Sequence, residues 1–264
     1  MFRNICDGTI DIARRAGEIM LDSSDPEVMN KGTKDNHVTE IDLKVQQFLK
    51  KELLALLPGS TFVGEEEDDD DRSSDDYWIV DPIDGTTNFI RNLQMSVVSI
   101  ALIRSGEPVM GVVYNPYTNE MFYALKGNGS FRNGKKIKVS DRKPENCIFA
   151  TSWGAYDKSG SSETFRISEK IYGICEDIRR MGSAAYELCK TAEGSIDLYY
   201  EPILHPWDHA AAGFILTEAG GIVSSVYGEQ DLFKRNSVIA ANNPDNLEFL
   251  RKIIIEEKER KTSQ

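Results

Sequence analysis

Residues 78–89 read WIVDPIDGTTNF. An apolar run, Trp78 to Val80, delivers Asp81 and, three residues on, Asp84, followed at once by Gly85, Thr86 and Thr87. A carboxylate at the end of a buried strand sits on the rim of a sheet, where neighbouring elements converge. The spacing reads as a metal and phosphate site. Pro82 is expected to make a turn that points both carboxylates into one cavity, and hard oxygen ligands of this kind suit Mg²⁺ or Mn²⁺. Gly85 lets the backbone approach an anion closely, and the N–H groups of Gly85, Thr86 and Thr87 would open a short helix over a phosphate. The plain alternative is an acidic turn after a strand. What separates the two is whether further carboxylates gather around the segment.

Upstream, a second apolar run at 61–64 also ends directly in acid, at Glu65. Before it, a helix is expected over 39–57, with Thr39 and Asp42 in capping-box spacing, Asp42 in its first turn and Pro58-Gly59 closing it. Residues 2–22 place Phe2, Ile5, Ile12, Ala16 and Ile19 on one face, which predicts a long amphipathic helix. The polar, glycine-bearing stretch 30–37 between these helices reads as a loop that orders when metal binds. Downstream, 96–137 alternates apolar runs with Ser105-Gly106, Thr118-Asn119 and Asn133-Gly134, a meander of antiparallel hairpins. Beyond about residue 140 the rhythm changes. Strand candidates at 148–151, 178–181, 196–200, 222–225 and 238–241 are separated by helical stretches near 162–175, 184–192, 207–219 and 245–258, which predicts a mostly parallel, helix-covered sheet. The fold class is therefore α/β, a layered α+β sandwich. An antiparallel lobe, 1–140, packs on a mostly parallel lobe, 141–264, as one domain with the site between them.

At 264 residues and 40% hydrophobic content the chain can bury a substantial core without staples. The net charge of −12 argues against gripping a nucleic-acid backbone. That charge is uneven: 65–71 reads EEEDDDD, of which 67–71 is read as a solvated, self-repelling loop. Glu65 is set apart because a strand precedes it. Cys6, Cys147, Cys175 and Cys189 are scattered and form no C-x-x-C pair, so neither a disulfide framework nor a zinc site is indicated. No apolar run reaches the ~18 residues of a membrane span, and the N-terminus lacks the apolar core of a signal peptide. A cytoplasmic protein with no membrane or nucleic-acid partner is expected.

Asp42 after VTEI and Asp208 in HPWDHAAAG also fall at element ends. Each is weak alone, since an Asp at a helix start is more often an N-cap than a ligand. His37, His205 and His209 titrate near neutrality and invite a general-base reading. The structural reading of all three is the plainer one.

Taken together, GEE at 64–66, DPIDGTTNF at 81–89 and PWDHAAAGFILTEAGG at 206–221 resemble, in form and order, the signatures of the inositol monophosphatase family. VTEID at 38–42 and GSAA at 182–185 extend the resemblance over nearly the whole chain. It implies the layered fold shared with fructose-1,6-bisphosphatase and a homodimer. Carried over by position, it implies that Glu65, Asp81 and the Ile83 carbonyl hold one Mg²⁺ and that Asp81, Asp84 and Asp208 hold a second. A third, weaker ion would sit near Glu65. Thr86, bonded to Asp42, would orient and help deprotonate the attacking water, so Asp42, Thr86 and Glu65 form the implied catalytic set. Asp84 and Glu201 would meet hydroxyls of the substrate's alcohol, with the backbone of Gly182, Ser183 and Ala184 near its ring, and Gly85, Thr86 and Asp208 complete the implied substrate-binding set. Lys31 matches a basic residue on the family's mobile metal-binding loop.

The implied reaction is hydrolysis of myo-inositol monophosphate, or a similar polyol phosphomonoester, to alcohol and phosphate. Glu201, seven residues before Asp208, accepts hydrogen bonds from a neutral polyol and repels a second phosphate. Relatives act on histidinol phosphate, fructose 1,6-bisphosphate or adenosine 3′,5′-bisphosphate, and a bisphosphate reader would need Arg179 or Arg180. A regulatory binding protein that kept the fold is the alternative of another class. Pro202 and NLQM at 92–95 depart from the family pattern without touching an implied ligand.

Overall fold

The structure, a computed structural model, describes residues 2–22, 28–30, 37–66, 70–153, 158–228, 231 and 234–262. Lys31 and most of the expected metal-ordered loop lie outside the described residues.

Along residues 77–80, successive side chains point to opposite faces of a strand, and both faces are apolar. Trp78 and Val80 pack into one cluster, Tyr77 and Ile79 into another. A strand of this pattern must lie between two helical layers. The elements that supply them begin with α1 (Phe2–Leu21), β1 (Val28–Asn30), β2 (His37–Thr39) and α2 (Glu40–Leu56). Then follow β3 (Thr61–Gly64), β4 (Asp76–Asp84), α3 (Thr86–Ile90), β5 (Val97–Arg104), β6 (Glu107–Asn115), β7 (Glu120–Leu125), β8 (Ser130–Arg132) and β9 (Lys135–Ile137). Strands β3 to β9 form a seven-stranded sheet in sequence order, antiparallel except for the parallel β3–β4 pair.

The rest of the chain supplies β10 (Ile148–Thr151), α4 (Ser161–Tyr172), β11 (Asp177–Arg179), α5 (Ala184–Ala192), β12 (Leu198–Leu204), α6 (Pro206–Glu218), β13 (Ile222–Ser224), β14 (Asn236–Ala241) and α7 (Pro244–Thr262). The second sheet has the order β11-β10-β12-β14-β13. Only β14 runs against the other four, so the sheet is mostly parallel in strand direction.

Helices α1 and α2 cover the outer face of the first sheet, and α4 and α7 the outer face of the second. Helices α5 and α6 are buried between the sheets: Ala185, Leu188, Ala211 and Ile215 share one cluster with Ile79 and Val113 of the first sheet and Tyr199 and Ala240 of the second. The result is five layers, helix, sheet, helix, sheet, helix. Buried Asp197 pins the connection between the sheets by accepting hydrogen bonds from Ser140 Oγ, Arg142 Nη1 and the Ile148 N–H. Among the described residues no helix is long and apolar enough to cross a membrane.

Three expectations need correcting. Pro82 does not make a turn; β4 runs through it to Asp84. The pairing Asp81↔Ser99 and Asp84↔Val97 spends three residues of β4 on two of β5, which is a β-bulge. Proline has no N–H for the ladder, and a bulge is where a strand tolerates it. The strand expected at 178–181 ends at Arg179, leaving residues 180–183 for a turn into α5. Finally, β12 runs to Leu204, held by pairing with β14 as far as Leu204↔Asn236, so Glu201 lies within a strand.

Candidate active site

Strand geometry alone would send Asp81 and Asp84, three residues apart, to opposite faces. The extra residue of the bulge returns Asp84 to the Asp81 face while Ile83 turns into the α1/α2 cluster. The backbone supports this locally: the Ile83 N–H donates to Asp81 Oδ1 at 3.0 Å. Both carboxylates therefore face the middle layer, where α5 and α6 begin. Asp84 Oδ2 accepts from Ser183 Oγ at 2.6 Å and from the Ala185 N–H at 2.7 Å, tying β4 to the start of α5. Asp208, in the first turn of α6, accepts the His205 N–H at 2.7 Å. One carboxylate oxygen each from Asp81, Asp84 and Asp208 lies within 4.8 Å of the other two. Capping and clustering are thus not alternatives for Asp208, because the helix start is what brings its side chain to the group.

A cleft of about 160 Å³ opens over this cluster. Glu65, Asp81, Ile83, Asp84, Gly85, Thr86, Gly182, Ser183, Ala184, Glu201 and Asp208 all line it. Gly85 adopts φ +87°, the left-handed conformation that favours glycine, and starts α3. Asp42 is not on the wall. It sits behind Thr86, whose Oγ1 lies 3.3 Å from Asp42 Oδ1 and 3.2 Å from the Ile83 carbonyl oxygen. The other Asp42 oxygen accepts from Thr39 N at 2.8 Å and from Thr39 Oγ1, so the capping box of α2 fixes this carboxylate.

Burial pushes the Asp81 carboxyl well above the usual range, and the charges of Glu65, Asp84 and Asp208 push it further. Burial likewise raises Asp84 to about 6, against the hydrogen bonds from Ser183 and Ala185. It lifts Asp208 well above the ordinary value, with Glu65 and Asp84 adding to the effect. Crowded, buried carboxylates are costly unless a cation neutralises them. A donor set of oxygens without nitrogen or sulfur fits a hard divalent ion.

A family model described as the inositol monophosphatase family matches residues 3–259. The chain belongs to this family. Inositol monophosphatase 1 of Homo sapiens is 37% identical over 250 residues, covering 90% of this chain and 89% of the human protein. Nus factor SuhB of Escherichia coli K12 is 34% identical over 236 residues, covering 87% and 88% respectively. The solved structure of an IMPase from Thermotoga maritima superposes with a TM-score of 0.89 at 31% identity, covering 98% of this chain and 99% of that one. Family membership supports a phosphatase, and the α/β fold matches that of these relatives.

In this family member the cleft has further walls that motif reading passed over. Glu187 of α5 is buried and holds the Met181 and Gly182 N–H groups with one carboxylate oxygen, a role that only its place in the first turn of a helix hints at. Asn88 donates to the Met95 and Met181 carbonyls, 3.1 and 2.7 Å away, and so ties the first signature to the turn before α5. Ser152 also lines the cleft, as does Arg180, one of the two arginines a bisphosphate reader would need; its guanidinium lies 5.1 Å over the Trp153 ring. Arg179 pairs instead with Asp177. Neither His205 nor His209 is on the wall. His205 stacks on Trp207, and burial lowers His209 to about 4, with His205 adding to the shift.

Proposed function

We propose that the chain is a Mg²⁺-dependent phosphomonoesterase that hydrolyses myo-inositol monophosphate, or a similar polyol monophosphate, to the alcohol and inorganic phosphate. The observation that carries this reading is the convergence of Asp81, Asp84 and Asp208 on one cleft, with the Thr86–Asp42 pair at its edge. Two to three Mg²⁺ ions would be held by Glu65, Asp81, the Ile83 carbonyl, Asp84 and Asp208. When bound, such ions supply positive charge to the phosphate oxygens and acidify water.

The chain's own groups do the rest. N–H groups of Gly85, Thr86 and Thr87 at the start of α3 receive the phosphate. Thr86 Oγ1, whose proton is directed to Asp42 and Ile83, offers its lone pairs to the attacking water and passes that water's proton toward the Asp42 carboxylate. The water oxygen bonds to phosphorus, the bond from phosphorus to the ester oxygen breaks, the departing alkoxide takes up a proton from solvent water, and Asp42 returns its proton to solvent. No covalent enzyme intermediate is needed. Glu201, raised to about 7 by burial and anchored by the Tyr199 hydroxyl at 2.7 Å, accepts hydrogen bonds from hydroxyls of the leaving alcohol. The backbone of Gly182 to Ala184 forms the facing wall. We take lobes 1–140 and 141–264 as one catalytic unit and the homodimer as its working assembly. The likeness to Nus factor SuhB supports a second reading, a regulatory binding protein on the same fold.

Phosphate release decides among these. With inositol 1-phosphate, histidinol phosphate, fructose 1,6-bisphosphate and adenosine 3′,5′-bisphosphate as substrates, the inositol ester should turn over fastest, and only after Mg²⁺ is returned to chelated protein. Full turnover in chelator would sink the metal dependence. A faster bisphosphate would sink the role given to Glu201, and no turnover on any ester would favour the binding reading.

A further inference from the structure

Gln46 lies on α2, one turn beyond Asp42, and is 1% exposed. Its amide is aimed at the backbone of Glu66, twenty residues away. Nε2 donates to the Glu66 carbonyl, and Oε1 accepts the Glu66 N–H at 2.9 Å. One side chain thus satisfies both main-chain polar groups of one residue, as a neighbouring strand would. On the other side, the Glu65 N–H donates to the Val80 carbonyl of β4 at 3.3 Å. Glu65 is therefore held between a strand and a helix. The approach is close enough to dictate sequence: a Cβ on Gly64 would meet Gln46 Oε1 at 2.5 Å. Glu65 opens a run of seven carboxylates, and a clamp on its backbone would oppose the mutual repulsion of those charges.

We propose that Gln46 is a positioning residue for Glu65, fixing the Glu65–Glu66 backbone so that the Glu65 carboxylate stays on the cleft wall to bind a divalent cation. The inference rests on the reading of Glu65 as a cation ligand. It also makes α2 a two-point support, Asp42 holding Thr86 and Gln46 holding Glu65 from successive turns. Neither residue need touch substrate for both to shape the site.

The test is direct Mn²⁺ binding to the whole protein, followed by electron paramagnetic resonance and calorimetry, alongside the Mg²⁺ dependence of phosphate release and the metal-free Tm. Three variants are compared: Gln46→Leu, Gly64→Ala and Glu65→Gln. Groups that orient a metal ligand typically change affinity 10- to 100-fold, so Gln46→Leu should raise the Mn²⁺ Kd by roughly 10-fold or more. Gly64→Ala displaces the same amide without altering Gln46 and should act in the same direction, which keeps the test open if Gln46→Leu folds poorly. A merely structural amide would lower Tm and leave the Mn²⁺ Kd of the folded protein unchanged. That result, with Glu65→Gln weakening binding, overturns the positioning role alone. Unchanged binding in Glu65→Gln overturns the ligand reading and the inference with it.

Discussion

Thr86 and Asp42 show how one hydrogen bond can serve two purposes. Thr86 Oγ1 is 3.3 Å from Asp42 Oδ1, while the other Asp42 oxygen completes the cap of α2. Thr86→Ala removes the hydroxyl that would position water, together with the γ-methyl. General-base assistance of this kind contributes about 10² to 10⁴ in rate, so kcat should fall by that much with cation affinity and Tm unchanged. Asp42→Asn should resemble it in kcat, and its Tm should also drop, because a disrupted cap costs about 1 kcal/mol. If the two act as a unit, the double variant loses much less than the product of the single losses. Steady-state kinetics and melting curves for all four proteins check this. Multiplicative losses would make the pair structural only.

At the scale of elements, the site is a junction between the bulge of β4, the start of α3 and the turn before α5. Asp84 and Asn88 cross that junction, Asp84 through Ser183 and Ala185, Asn88 through the Met181 carbonyl. Asn88→Ala would leave two carbonyls without their donor and free the Gly182 turn from the phosphate end of the cleft. A buried unsatisfied carbonyl costs roughly 1 to 3 kcal/mol, so KM for inositol 1-phosphate should rise about 10-fold or more while Mn²⁺ affinity holds. Equal losses in both would show that Asn88 supports the carboxylate cluster instead. This junction also marks what the sequence can and cannot convey. Asp84 and Asp208 are legible because one closes a strand and the other lies in the first turn of a helix, Asp81 because the apolar run 78–80 ends in it, and the hairpins of 96–137 because turn residues punctuate them. The bulge is not legible, because a proline after a strand reads locally as a turn until β5 is known to pair on both sides of it. Gln46 and Asn88 are silent for the same reason. Their partners lie 20 and 93 residues away, and a glutamine in a helix or an asparagine in a turn carries no local sign of them.

For the whole molecule, the two sheets and the helices between them bury an acidic site inside an acidic protein, and the cost depends on pH. Asp84 is raised from 3.8 to about 6 and Glu201 from 4.5 to about 7, both chiefly by burial, while Asp81 and Asp208 are shifted the same way. In each case the folded state binds the proton more tightly than the unfolded chain. Stability from these groups is therefore complete below pH 4 and is lost as pH rises through the folded values, which are about 6 for Asp84 and about 7 for Glu201. His209 works in the opposite direction. Buried and lowered from 6.5 to about 4, it lets the unfolded chain take the proton first, so stability is lost as pH falls between those values. Burial raises Glu187 in the same way, so five carboxyls oppose one imidazole and metal-free protein should be less stable at pH 7.5 than at pH 5.5. Mg²⁺ bound at this cluster would compete with protons for the same oxygens. Its stabilisation, which grows as RT ln(1 + [Mg²⁺]/Kd), should then be small at pH 5.5 and large at pH 7.5. Asp84→Asn tests both effects, because it removes one repelling charge and, on the proposed reading, one anionic ligand. Metal-free Tm at pH 7.5 should rise above that of the parent, and the increment given by Mg²⁺ should shrink. Melting curves at both pH values, with and without Mg²⁺, measure all of this. An equal Mg²⁺ increment at both would mean that the cation does not bind at these carboxylates, and a lower metal-free Tm for Asp84→Asn would mean that the hydrogen bonds of Asp84 to Ser183 and Ala185 outweigh the repulsion around it.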